Sequence, residues 1–171
     1  MEINYDFPRK MARKVIKDYN IKSVPVDIKI IIEGLGLKYV ELDDPEYIDG
    51  VVMKIKGKFV FVLNKAKPLN RQRFTIAHEL GHIFLKHELR DFYDPESARE
   101  EELQDETIGN KKPAKEIEAD IFASELLVPY DFLKQHKNEI NNLDLLSRTF
   151  LVSKDVMSIA VNNYWRYLAR K

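Results

Sequence analysis

Cysteine is absent from the 171-residue sequence. Disulfides and thiolate metal sites are thereby excluded, and any zinc would have to be held by histidine and carboxylate groups. Net charge is absent too, with 28 basic residues against 28 acidic ones. That balance gives no general attraction to nucleic acid or to an anionic membrane. A local basic patch exists near the amino terminus, in Arg9, Lys10, Arg13, Lys14 and Lys17. No charged-then-apolar leader opens the sequence, and no apolar run approaches a membrane span. A cytoplasmic protein without a membrane partner is expected, and the lack of cysteine agrees with a reducing compartment. The hydrophobic share of 44% suits a folded chain rather than a disordered one. Its length suits a single domain over residues 1–171, with a core of about 1–130 and a helical segment of about 131–171.

The periodicities alternate little between strand and helix. Residues 8–19 read as a basic helix, and residues 26–33 as a second helix opened by Pro25 and Asp27 and closed by Gly34 and Gly36. Residues 37–42, 51–55 and 59–63 read as strands, the last two joined by a hairpin at Lys56, Gly57 and Lys58. Helices are expected over 68–87 and 113–127, with further helical pattern from Asp131 onward. The stretch 88–112 is polar and acidic and reads as a solvated loop, with a lid over a site as the alternative. The fold class is α+β: mainly helical, with a small β-meander or sheet packed beside the 68–87 helix.

That helix carries HELGH at residues 78–82, inside RFTIAHELGHIF at 73–84. Two histidines four apart on a helix point the same way and can share one metal ion. Glu79 then sits beside the open position of that ion, where it can take a proton from water. Ile76, Ala77, Leu80, Gly81, Ile83 and Phe84 make the surroundings uncharged, so the helix should be buried. A lone histidine there would be read as a core residue bonded to a carbonyl. His78, Glu79 and His82 together need a cation as partner, because unpaired polar groups are costly in such a place.

A catalytic zinc site takes a third protein ligand. His87 lies close to His82 on a different face, and His136 lies far off in a charged segment. Carboxylates at 116, 118 and 120 are better placed. Glu116 and Asp120 share a helical face with Ala119, Ala123 and Leu127, small enough in part to pack closely on the histidine helix. Glu118 and Glu125 share another stripe, which reads as a solvent edge. Periodicity therefore favours Glu116 as ligand over Glu118, with Asp120 able to accept a hydrogen bond from a ligand histidine.

RQRFTIAHELGH at 71–82 followed by EIEADIFASELLVP at 116–129 resembles the ImmA/IrrE family of metallopeptidases. The resemblance covers most of the chain, and the second motif is the more specific of the two. It implies a gluzincin-like site with zinc on His78, His82 and Glu116, Glu79 as general base, and an acidic or amide residue one turn beyond the third ligand. It also implies a zinc endopeptidase that cuts a helix-turn-helix transcriptional repressor, in stress response or mobile-element induction. Val128 departs mildly from the methionine common at that position, and the charged stretch between the motifs is fairly long.

Other readings compete. Residues 143–153 and 156–160 have the rhythm of a DNA-binding helix-turn-helix, but Lys154 is the one basic residue of the presumed reading helix. A non-catalytic, metal-stabilised regulatory module is a second alternative, against which Glu79 argues. The strand 59–63 is the expected edge for an extended substrate. Tyr93, Tyr130, His87 and His136 are the candidate oxyanion donors. Tyr164, Tyr167 and Leu168 are expected to anchor the last helix, leaving Trp165 partly exposed for a partner.

Overall fold

Local sequence signals set most of the element boundaries. In the computed structural model, α1 spans Asp6–Asp18 and α2 spans Ile28–Gly34. Asp27 caps α2 by accepting the Lys29 N–H at 3.0 Å. Gly36 then turns the chain with φ +64°, a backbone state glycine adopts without steric cost. Strands β1 (Lys38–Leu42), β2 (Gly50–Ile55) and β3 (Lys58–Asn64) follow. Helix α3 spans Leu69–Leu85 and α4 spans Ala114–Leu127, each preceded by a proline. The chain closes with α5 (Tyr130–Gln135), a single 3-10 turn (Lys137–Glu139), α6 (Leu143–Phe150) and α7 (Lys154–Leu168). The residues described are 3–43, 49–55, 58–87 and 112–169. The hairpin tip at 56–57 and nearly all of the 88–112 stretch, Tyr93 included, lie outside them.

The α+β class holds, with one refinement. The three strands lie in the order β1-β3-β2, with β1 parallel to β3 and β2 antiparallel to it. They do not form a meander of sequential neighbours. The run Phe59, Val60, Phe61, Val62 and Leu63 is the most apolar strand, and the centre of the sheet is where such a strand loses most contact with water. This overturns the expectation that 59–63 offers an edge. Among the described residues β2 is the edge strand on the side that packs against α3.

Helix α4 is the centre of the helical layer. It packs against α3 and against α1, and α3 also contacts β2 and β3. Ala119, Phe122, Ala123, Leu126 and Leu127 of α4 are fully buried, as are Ala77 and Leu80 of α3. The small face foreseen at Ala119 and Ala123 does bring the two helices close. A Cβ on Gly81 would meet the Ala119 backbone at 3.1 Å and the Phe122 ring at 3.2 Å. Gly50 plays the same part between β2 and α3, where an added Cβ would meet Thr75 at 2.9 Å. These two glycines set how near the strand and the second helix come to the histidine helix.

Candidate metal centre

His78 and His82 stand one turn apart on α3, with Nε2 atoms 3.0 Å from each other. Glu116, in the first turn of α4, reaches across the helix interface. Its Oε2 lies 3.0 Å from His78 Nε2 and its Oε1 lies 3.4 Å from His82 Nε2. One donor atom from each residue falls within 4.8 Å of the others. The structure thus brings together His78, His82 and Glu116, and leaves Glu118 out of the cluster.

The hydrogen bonds around the cluster fix which atoms carry hydrogens. Asp120 Oδ1 lies 2.9 Å from His78 Nδ1, so that nitrogen donates. Lys112 bonds the other Asp120 oxygen. A neutral His78 then has a bare Nε2 lone pair, and it faces Glu116 and the His82 ring. Acceptor groups turned toward one another with no hydrogen between them are electrostatically unfavourable unless a proton or a cation sits among them. The spacing of 3.0 to 3.4 Å is also close to the edge of a tetrahedron around zinc, about 3.3 Å for ligand bonds of about 2.0–2.1 Å. Donor type, lone-pair direction and spacing all fit a divalent ion of the zinc kind.

The charges respond to this crowding. Burial alone would lower the His78 pKa, but the bonds to Asp120 and Glu116 outweigh it and push it up to about 9. The Glu116 carboxyl is held well below the usual carboxylate range by its close contacts with the His78 and His82 rings. Burial opposes ionisation of Asp120, yet His78 and Lys112 prevail and lower its pKa.

Glu79 points to the sheet side of α3. Its Oε2 accepts the Val52 N–H of β2 at 3.3 Å. Burial raises its pKa, partly offset by His78, His82 and that N–H. A partly buried carboxylate of raised basicity therefore stands between the two histidines and the edge strand.

One expectation about the surrounding residues is corrected, that for Glu118 and Glu125. His87, expected on a different face from His82, does not join the cluster. Yet α3 ends at Leu85, Lys86 adopts the left-handed conformation (φ 58°), and the chain folds back. His87 Nδ1 comes to 3.0 Å from His82 Nδ1, and His87 Nε2 to 3.3 Å from Glu118 Oε2. Little in the residues foretells this reversal, because a lysine is an uncommon choice for that backbone state. Glu118 and Glu125 do not form a solvent edge, because α1 covers that face. Glu118 accepts the Asn4 N–H at 3.0 Å, and Glu125 pairs with Arg13 at 2.6 Å. Basic residues on α1 and acidic ones on α4 were the available signal.

The remaining candidates sit elsewhere. Tyr130 packs on Tyr164 and Tyr167 with Arg13 over its ring, and His136 packs on Phe150. His87 lies behind His82. None of these three is placed at the cluster as an oxyanion donor. Tyr164 is buried as expected, whereas Tyr167 and Leu168 are exposed along with Trp165.

A helix with paired histidines and an intervening glutamate, a carboxylate from a second helix, and an edge strand alongside together describe a metallopeptidase-type fold and site. The chain belongs to the peptidase M78 family, whose model, described as the IrrE N-terminal-like domain, matches residues 26–162. No curated protein matches the sequence. Among solved structures, a Mycobacterium tuberculosis transcriptional regulator is similar in fold, with a TM-score of 0.61 at 18% identity. The match covers 91% of this chain and 46% of that one, so the present chain spans about half of its length. Among the described residues, no helix is long and apolar enough to cross a membrane.

Proposed function

We propose that the chain is a zinc-dependent endopeptidase. The observation that carries this reading is the convergence of His78 Nε2, His82 Nε2 and the Glu116 carboxylate beside a partly buried Glu79. Bound zinc would supply Lewis acidity, acidifying water and polarising a peptide carbonyl. The protein's own groups do the rest. Glu79 takes the proton of the attacking water and delivers it to the leaving amine. Its raised basicity favours taking a proton from water. Asp120 holds the Nδ1–H of His78 and so keeps the Nε2 lone pair facing Glu116 and His82, where it would help hold the ion.

The substrate is proposed to be a protein segment in extended form, paired along the edge of β2. Val52 supports that placement, since its N–H is turned to Glu79 rather than to β3. The Glu79 carboxylate and the substrate backbone are thus brought to one strand. By family membership, the substrate class is proposed to be a helix-turn-helix transcriptional repressor, cut in stress response or mobile-element regulation. A DNA-binding role draws less support. Lys154, at the start of α7, pairs with Asp144 at 2.5 Å, and Asp155 stands next to it.

The test is incubation of the zinc-loaded chain with purified repressors encoded beside it, followed by mass spectrometry of the products. One discrete cut, abolished by a chelator and restored by zinc, is the expected result. Repressors left intact by a chain shown to hold zinc would count against the peptidase reading.

A further inference from the structure

We infer that His87 and Glu118 are positioning residues for His82, fixing its ring so that the Nε2 lone pair faces His78 and Glu116. The inference rests on the reading of His78, His82 and Glu116 as metal ligands. An ionised carboxylate only accepts hydrogen bonds, and a neutral imidazole donates from one nitrogen and accepts at the other. Glu118 accepts the Asn4 N–H on Oε1 at 3.0 Å and offers Oε2 to His87 Nε2 at 3.3 Å. His87 therefore carries its hydrogen on Nε2 and presents a bare Nδ1. His82 Nδ1 lies 3.0 Å from that bare nitrogen, so it is the donor of the pair. The hydrogen is thereby kept off His82 Nε2, the atom 3.4 Å from Glu116. Run in the opposite direction, the same chain would put an N–H into the cluster and shut out a cation.

The groups come from three parts of the chain: the turn after α3, the first turns of α4, and Asn4 in the segment ahead of α1. The His87 and Glu118 side chains are 11% and 16% exposed, so water competes little for these bonds. The arrangement does for His82 what Asp120 does for His78, with an imidazole interposed between ligand and carboxylate. Outer partners of this kind tune metal affinity through the ligand they hold.

The test is zinc affinity of the full chain by competition with a chromophoric chelator, with thermal unfolding recorded for each variant. His87→Leu removes both hydrogen bonds. Glu118→Gln keeps the shape but turns an N–H toward His87 Nε2 when its oxygen takes the Asn4 N–H, which reverses the chain. Each is expected to weaken zinc binding about 10- to 100-fold. His87→Gln can accept from His82 with its carbonyl and donate to Glu118 with its amide, and should stay within about threefold of the parent. Undiminished affinity in a folded Glu118→Gln protein would overturn the positioning role while leaving the metal site standing. A loss in His87→Gln as large as in His87→Leu would overturn it as well, because packing would then explain both. A parent chain that takes up no zinc would instead remove the metal reading beneath the inference.

Discussion

Glu116 and Glu118 are two residues apart, yet α4 sends one carboxylate to α3 and the other to the turn beyond it and to Asn4. Their chemistry follows from those neighbours. The same holds for Glu79, which differs from both in facing the edge strand. Glu79→Gln should keep zinc and lose roughly 10²- to 10⁴-fold in cleavage rate, the range a general base contributes. Single-turnover cleavage with zinc content measured alongside checks this, and full-rate cleavage would refute the general-base role. His78 makes a second prediction. Without metal its folded pKa of about 9 exceeds the ordinary 6.5. A raised histidine contributes stability that is fully present below the ordinary value and lost as pH rises through the folded one. Zinc needs the neutral ring, so zinc and proton compete. Apparent affinity should rise by up to about tenfold per pH unit between about pH 7 and 9 and level off above, from this group alone. Chelator competition across that window checks it, and a flat profile would contradict it.

Residues whose placement depends on local spacing were legible in the sequence. His78, Glu79 and His82 lie on one helix, where an interval of four residues dictates a common direction. Glu116 followed from the period of a second helix. The position of His87 is not legible there, because it depends on the reversal at Lys86, and the surroundings of Glu118 are not, because they depend on how the segment at Asn4 and α1 lies over α4.

At the scale of elements, helix boundaries were readable because prolines, glycines and capping side chains mark them. Strand pairing was not, since a run of apolar residues does not say which neighbours it takes. The placement of β3 at the centre, and of β2 beside Glu79, came only from the tertiary structure. The packing of α3 on α4 depends on the missing side chain at Gly81. Gly81→Val should destabilise the chain by about 1–3 kcal/mol, as an overpacked contact with backbone does. It should weaken zinc binding too, since the histidines and Glu116 lie on the two helices it would spread. Thermal unfolding and chelator competition together check this, and an unchanged melting temperature would show that the interface yields freely.

For the whole molecule, the chain's charge balance conceals a specific pairing. Basic α1 lies on α4, with Arg13 bound to Glu125 and cation–π packed on Tyr130. Burial raises the Glu125 pKa, and Arg13 works against that rise. Arg13→Ala should therefore cost about 1–3 kcal/mol at neutral pH, less than for a fully buried pair because the Arg13 side chain is 40% exposed. The loss should shrink as pH falls and Glu125 takes up a proton. Urea unfolding at two pH values checks both magnitude and sign. The metallopeptidase account, though, stands or falls on one quantity. Elemental analysis of the purified chain and of Glu116→Ala, after reconstitution and dialysis, should find about one zinc per chain in the first and almost none in the second. No zinc in the parent chain, or equal zinc in both, would contradict the account.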